Sequence, residues 1–322
     1  MQARTLRLAC ADYPRVMPLA TKAVTPDGFD LNLTLGQGGS WPMRADLLRR
    51  VMEGEEFDGG ESSIGGHVRR IASGDQRFVA VPVFILRAFA ARDLYVRKNG
   101  PVRTPKDLIG KRLGLYSWVA SGSVWYRHFQ RHVGVALDDV EWWVGDIEAA
   151  GETSHAVTLP QGVNPAPSGR FLAEMLANGE IDAMWSPPRP KLFSAKEGPI
   201  VRLLPDYPAA DQSYYRATGM FPPLHLIVLQ RAVWERNPWI AGALVDAFDR
   251  SNAAFAASQR GFPYATPWLE AELDETIAMM GEDFYSNGLM RNREAMQAFI
   301  DQAFDAGLIE RSVTVDECFV AP

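Results

Sequence analysis

The sequence predicts an α/β protein with largely parallel sheets, organised in about two domains. Short β-branched or apolar runs alternate with longer segments of helical period along the chain, the pattern of strands joined by crossover helices. The 322 residues exceed one ordinary domain, and 47% apolar content is enough for a substantial core. No internal repeat or low-complexity linker interrupts the alternation.

The elements follow in order. "LRLACAD" reads as a strand, and "MRADLLRRVMEG" as a helix stopped at Gly54. "FDGGESS" reads as a strand leading into a turn, followed by a helix over "SIGGHVRRIASG" that again ends at glycine. "RFVAVPVFILRAFAARDLYVRK" contains two strand-like runs. In "TPKDLIGKRLGLYS", Thr104 is the expected N-cap, Pro105 takes the first helical position, Gly110 ends the turn and a strand begins at Arg112.

Composition excludes several classes. A formal charge of −6 without a basic run argues against nucleic acid, which needs clustered Lys and Arg. No apolar stretch approaches the eighteen or so residues of a membrane span. The opening "MQARTLRLACADYP" enters strand-like residues without the apolar core of a signal peptide, so a cytoplasmic protein is expected. Cys10 and Cys318 lie near opposite ends without metal-ligand spacing, and no disulfide is expected.

Several residues carry chemistry. Glu61 and Ser62 follow a Gly-Gly pair at a strand end, where a βα turn meets a crevice; a plain helix cap is the competing account of the serines. Ser63 and His67 are spaced like a nucleophile and base, but no third partner or nucleophile elbow accompanies them. His128 and His132 stand one turn apart, better explained by the dipole at a helix end than by metal, so no metal is expected. Trp118 and Trp125 are candidate flat walls, although most large aromatics are core. Arg87, Arg127, Arg189 and Arg216, with Tyr215 beside the last, adjoin turn or strand-end signals, and converging guanidiniums suit a ligand with carboxylates. In "YYRATGMFPPLHLIVLQR" the histidine His225 opens an apolar strand after a Pro-Pro step. There it either joins an apolar layer or reaches a ligand.

"RTPKDLIGKRLGLYS", "SGSVWYRHFQRHVGV", "DDVEWWVGD" and "LANGEIDAMW", in this order and spacing, resemble the second lobe of type II periplasmic-binding-protein folds. That resemblance implies two lobes with a ligand cleft between them. Residues 1–92 and 223–322 would form a discontinuous lobe one and 98–215 lobe two, with crossings at 93–97 and 216–222. Together, "FDGGESS", "VPVFILRAF", "SVWYR", "GEIDAMWSPPRP", "LLPDYPAADQSYYRATGMFPPLHLIVLQR" and "NPWIAGALVDAF" resemble the 4,5-dihydroxyphthalate decarboxylase family over nearly the whole chain. The chain departs from the family's Arg-His pair at Ala90 and Ala91, which leaves the exact substrate open.

The resemblance implies a carboxy-lyase that protonates the ring carbon bearing the departing carboxylate and then expels carbon dioxide. His225 is the expected acid and Glu61 the expected acceptor at the phenol, with Ser62, Arg87, Trp118, Trp125, Arg127, Arg189, Tyr215 and Arg216 holding the substrate. Nothing in that scheme calls for a redox or nucleotide cofactor, and no phosphate-cradling glycine motif is present. The expected partner is a small aromatic carboxylate, and self-association into a homo-oligomer is compatible with all of this. The alternative is a non-enzymatic solute-binding protein of the same fold.

Overall fold

The computed structural model describes residues 4–37, 39–150, 158–261 and 266–320. Strands are numbered β1 to β11 along the chain. Two compact units form: Met1–Arg87, Pro223–Met296 and Val313–Pro322 make the first, Ala88–Pro222 and Gln297–Ser312 the second.

The first unit is built on a five-stranded mixed sheet of β1 (Arg4–Ala11), β2 (Phe29–Gly36), β3 (Gly59–Ser63), β4 (Phe78–Arg87) and β11 (Pro223–Gln230), in the order β2-β1-β3-β11-β4. β1 runs parallel to β2 and β3, whereas the returning β11 is antiparallel to both its neighbours. Alternation along the strands sends Leu6, Leu8, Val79, Val81, Ile227 and Leu229 into one buried cluster with Ile240, Leu244 and Phe248 of the helix Ile240–Gln259. Pro82 interrupts β4, which is the edge strand, where a missing ladder donor is tolerated.

The second unit carries six strands, β5 (Leu94–Arg97), β6 (Arg112–Leu115), β7 (Glu141–Val144), β8 (Val163–Pro165), β9 (Ala183–Trp185) and β10 (Ile200–Arg202), in the order β10-β5-β9-β6-β7-β8. The expected domain boundaries need three corrections. Residues 93–97 are no crossing, because Leu94–Val96 pair with Ala183–Trp185 as an ordinary strand of this sheet. Residues 216–218, expected in the second crossing, instead continue the helix Tyr207–Thr218, which ends only at Gly219, a residue in the left-handed region at φ 67°. Residues 297–312 belong here rather than with the rest of the C-terminal segment. Phe299 packs on Trp125 at 5.6 Å between ring centroids, and the Trp118 indole N–H donates to the Ala306 carbonyl at 3.0 Å.

His67 shows how tightly the first unit is closed. It lies on the helix Ile64–Ala72, fully buried, with Nε2 2.7 Å from the Cys318 carbonyl, so that nitrogen carries the proton. It is therefore a structural residue, and Cys10 and Cys318 are buried thiols outside any disulfide. Burial lowers the imidazole from 6.5 to about 4, with Arg70 adding to the effect and the carbonyl opposing it. Below pH 6.5 the unfolded chain takes up a proton that the folded chain refuses until about pH 4, so acidification across that window favours unfolding. The loss should reach roughly 3 kcal/mol, since each tenfold change in proton affinity is worth about 1.4 kcal/mol. His67→Gln, which keeps a donor for the carbonyl without titrating, should flatten this slope in urea unfolding measured from pH 4 to 7.

Candidate active site

The site begins with two glycines. β3 lies between β1 and β11, with Leu8 opposite Gly59, Ala9 opposite Gly60, and Glu61 opposite Ile227. A Cβ on Gly59 would stand 2.1 Å from the Val228 carbonyl oxygen, and one on Gly60 2.3 Å from that of Ala9. Only glycine permits backbone this close on both sides. Glu61 is the first side chain beyond the squeeze, and it is completely buried.

Both oxygens of its carboxylate are engaged. Oε2 accepts the Ala11 backbone N–H at 2.8 Å, while Oε1 accepts the Tyr13 hydroxyl at 2.7 Å and faces His225 Nδ1 at 2.5 Å. Burial raises the Glu61 carboxyl, but His225, Tyr13 and the Ala11 amide together outweigh it and hold the group below the ordinary carboxylate value of 4.5. An ionised carboxylate only accepts, so Nδ1 carries a hydrogen and the labile imidazole position is Nε2. His225 follows Pro223, the first residue of β11, and is partly open, with 14% of its side chain exposed against none for Glu61. The pairing of β11 with β4 shifts register on either side of His225, from Leu86 opposite it to Val81 opposite Ile227.

The pair revises one assignment. With both oxygens taken and no exposed surface, Glu61 is the partner of the imidazole rather than the acceptor of a phenolic proton. Tyr13 and the Ala11 amide were not read from the sequence. The signal was present in "CADYP", a tyrosine just past the end of β1 and just before Pro14, at the same end of the sheet as the turn after β3.

The remaining candidates are distributed over both units. Ser62 is buried and accepts from Arg70 Nη2 at 3.0 Å. Arg87 spends Nη2 on the Ser286 carbonyl and Asn292 Oδ1, at 3.0 and 2.6 Å, and burial lowers it to about 10. In the second unit, Arg127 lies wholly inside, 4.2 Å from the Trp118 ring centroid and donating to the Trp118 carbonyl at 3.0 Å, with burial lowering it to about 9. Trp125 is core there. Arg189 is exposed near Phe193, and the exposed Arg216 reaches Gln212 within its own helix, beside half-buried Tyr215. His128 faces the Tyr214 hydroxyl at 2.8 Å, and no group of three metal-ligating side chains occurs among the described residues.

Over 98% of its length the chain is 31% identical to 4,5-dihydroxyphthalate decarboxylase of Comamonas testosteroni, covering 96% of that protein. The chain belongs to the 4,5-dihydroxyphthalate decarboxylase family. The decarboxylase of that name from Pseudomonas putida is 31% identical over 221 residues, 67% of this chain and 83% of the other. No family model matches the chain. In fold it is similar to the periplasmic aliphatic sulphonate binding protein SsuA of Escherichia coli, with TM-score 0.54, 16% identity, and 99% of this chain and 98% of that one covered. The alkanesulfonate-binding protein SsuA of Xanthomonas axonopodis pv. citri gives TM-score 0.54 at 13% identity, with 99% of each chain covered. This is the fold of periplasmic binding proteins, as the sequence predicted.

If the Gly-Gly squeeze holds this member of the decarboxylase family's Glu61 in place, Gly60→Ala should push β3 off β1. The expected cost is about 1–3 kcal/mol or more in unfolding free energy, as for other overpacked cores. A comparable loss should be absent for Gly74→Ala as regards packing, since nothing lies within 4 Å of that position, leaving only the strain of its φ of 81°.

Proposed function

We propose that this carboxy-lyase removes one carboxylate, as carbon dioxide, from a hydroxylated aromatic dicarboxylate of the 4,5-dihydroxyphthalate kind, with His225 as the proton donor. The relatives' names supply the substrate class. The observation that supports the residue assignment is the Glu61–His225 pair, which engages Nδ1 of a partly exposed side chain and leaves Nε2 as the ring's other nitrogen.

Direct loss of carbon dioxide would leave an aryl anion that no side chain stabilises adequately, so protonation comes first. The imidazolium gives its Nε2 proton to the ring carbon bearing the carboxylate. The hydroxyl para to that carbon gives its proton to water and feeds its electrons into the ring, forming a dienone, and its oxygen takes a proton back from water once aromaticity returns. The carbon–carboxylate bond then breaks, its electron pair restores aromaticity, and the freed carbon carries the delivered proton. His225 is left neutral with its hydrogen on Nδ1, still held by Glu61, and regains the Nε2 proton from water. Solvent therefore supplies the one proton that each turnover consumes.

Incubation with hydroxylated benzoates and phthalates should release carbon dioxide and leave one fewer carboxylate on the ring. A compound that binds tightly and is recovered intact from every incubation would favour a solute-binding role instead. His225→Asn should lower turnover by about a hundredfold or more while substrate affinity stays within a few-fold, as expected for the loss of a general acid. If turnover per bound substrate survives, the acid lies elsewhere.

A further inference from the structure

We infer that Tyr13 is a positioning residue for proton delivery, acting on His225 through Glu61. The inference rests on the proposed role of His225, and it has a readout that does not depend on activity.

The geometry is a shared acceptor. Tyr13 Oη and His225 Nδ1 approach the same oxygen, Glu61 Oε1, at 2.7 and 2.5 Å, while the Ala11 amide takes Oε2. A buried carboxylate this close to an imidazole has two ways to hold one proton. In the first, the carboxylate is ionised and Nδ1 keeps its hydrogen, so the proton on Nε2 is the one that leaves. In the second, the proton moves onto Glu61, and the neutral ring retains hydrogen on Nε2 as a far weaker acid. Each donor to the carboxylate favours the first arrangement, because hydrogen bonds stabilise the charged form. Tyr13 is the side-chain donor besides the imidazole among these contacts.

Tyr13 is suited to this by being unable to ionise itself. Burial, then the Glu61 charge, push its hydroxyl far above the ordinary value of 10, and the nearby Arg44 only partly opposes them. It therefore stays a donor throughout the working pH range. The other groups that titrate around Glu61 are Cys10 on β1, Asp12 just after it, and Arg44 on the helix Trp41–Glu53, whose guanidinium lies 5.7 Å from the Tyr13 ring. The Cys10 thiol is neutral, raised first by burial and then by Glu61 and Asp12. Across β11 from Glu61's partner stand Ser63 and Leu86, neither of which titrates.

The test is Tyr13→Phe in the full chain, which removes one hydroxyl and keeps the ring. Without the third donor the hydrogen between Nδ1 and Oε1 moves more readily onto Glu61, which leaves the ring the weaker acid. Turnover should fall by about 5- to 30-fold with KM within about threefold, and the alkaline limb of the kcat profile should move to higher pH by roughly half a unit or more. Nitrogen NMR of the labelled His225 ring should show hydrogen on Nδ1 in the neutral native protein, and a measurable share on Nε2 in the variant. A slower variant with an unmoved limb and unchanged ring tautomer would overturn the assignment and make Tyr13 a packing residue. A raised KM with kcat preserved would instead make it a substrate contact. If native His225 carries its neutral hydrogen on Nε2, the inference fails whatever the variant does. If the native tautomer is as stated but His225→Asn retains turnover, the failure belongs to the proposed function.

Discussion

The first unit is organised around one buried negative charge. Taking a carboxylate wholly out of water costs several kcal/mol unless donors replace its hydration, and Glu61 has no exposed surface. Its three donors come from two parts of the chain: a backbone amide at the end of β1 with a tyrosine just beyond it, and an imidazole at the start of β11. None would reach if β3 were not pressed between its neighbours, and that in turn requires Gly59 and Gly60. The packing of a strand, the state of a carboxylate and the tautomer of a histidine are therefore one arrangement.

That arrangement explains a division of labour within the pair. Glu61 is fully enclosed with both oxygens bonded, and His225 is the member with part of its side chain exposed. A carboxylate held toward its ionised form favours hydrogen on the ring nitrogen that faces it, here Nδ1. The same logic separates His67 from His225. Both are histidines on the first unit, but His67 is sealed against a carbonyl with no charge to support it, so it stays neutral and structural.

Much of the fold was legible because periodicity and punctuation agree. The strand at Arg112 and the helix stop at Gly54 both follow from local signals. The boundaries between units were less legible. Nothing local to residues 297–312 says that Phe299 will meet Trp125, because that contact is made by residues far apart in sequence. Glu61 and His225 were readable as chemically apt residues at strand ends, but their pairing was not, since β11 could sit beside any of several strands. The donors around Glu61 were hidden for the same reason. A side chain looks available in a sequence until the donors that fill it are known, and here they are Ala11 and Tyr13. Arg127 shows the converse. It was singled out for charge and setting, and its complete burial against Trp118 depends on packing that no local pattern announces.

Glu61 and His225 are separated by 164 positions, with the whole of Ala88–Pro222 folded in between. Closing so long a loop is entropically late and kinetically slow compared with pairing between neighbours. During synthesis β1, β2 and β3 emerge long before β11, so the carboxylate of Glu61 waits without its imidazole while the second unit forms. A chain interrupted anywhere before Pro223 therefore has a sheet edge at β3 and no imidazole opposite Glu61. The event that closes the edge of β3 also completes the pair.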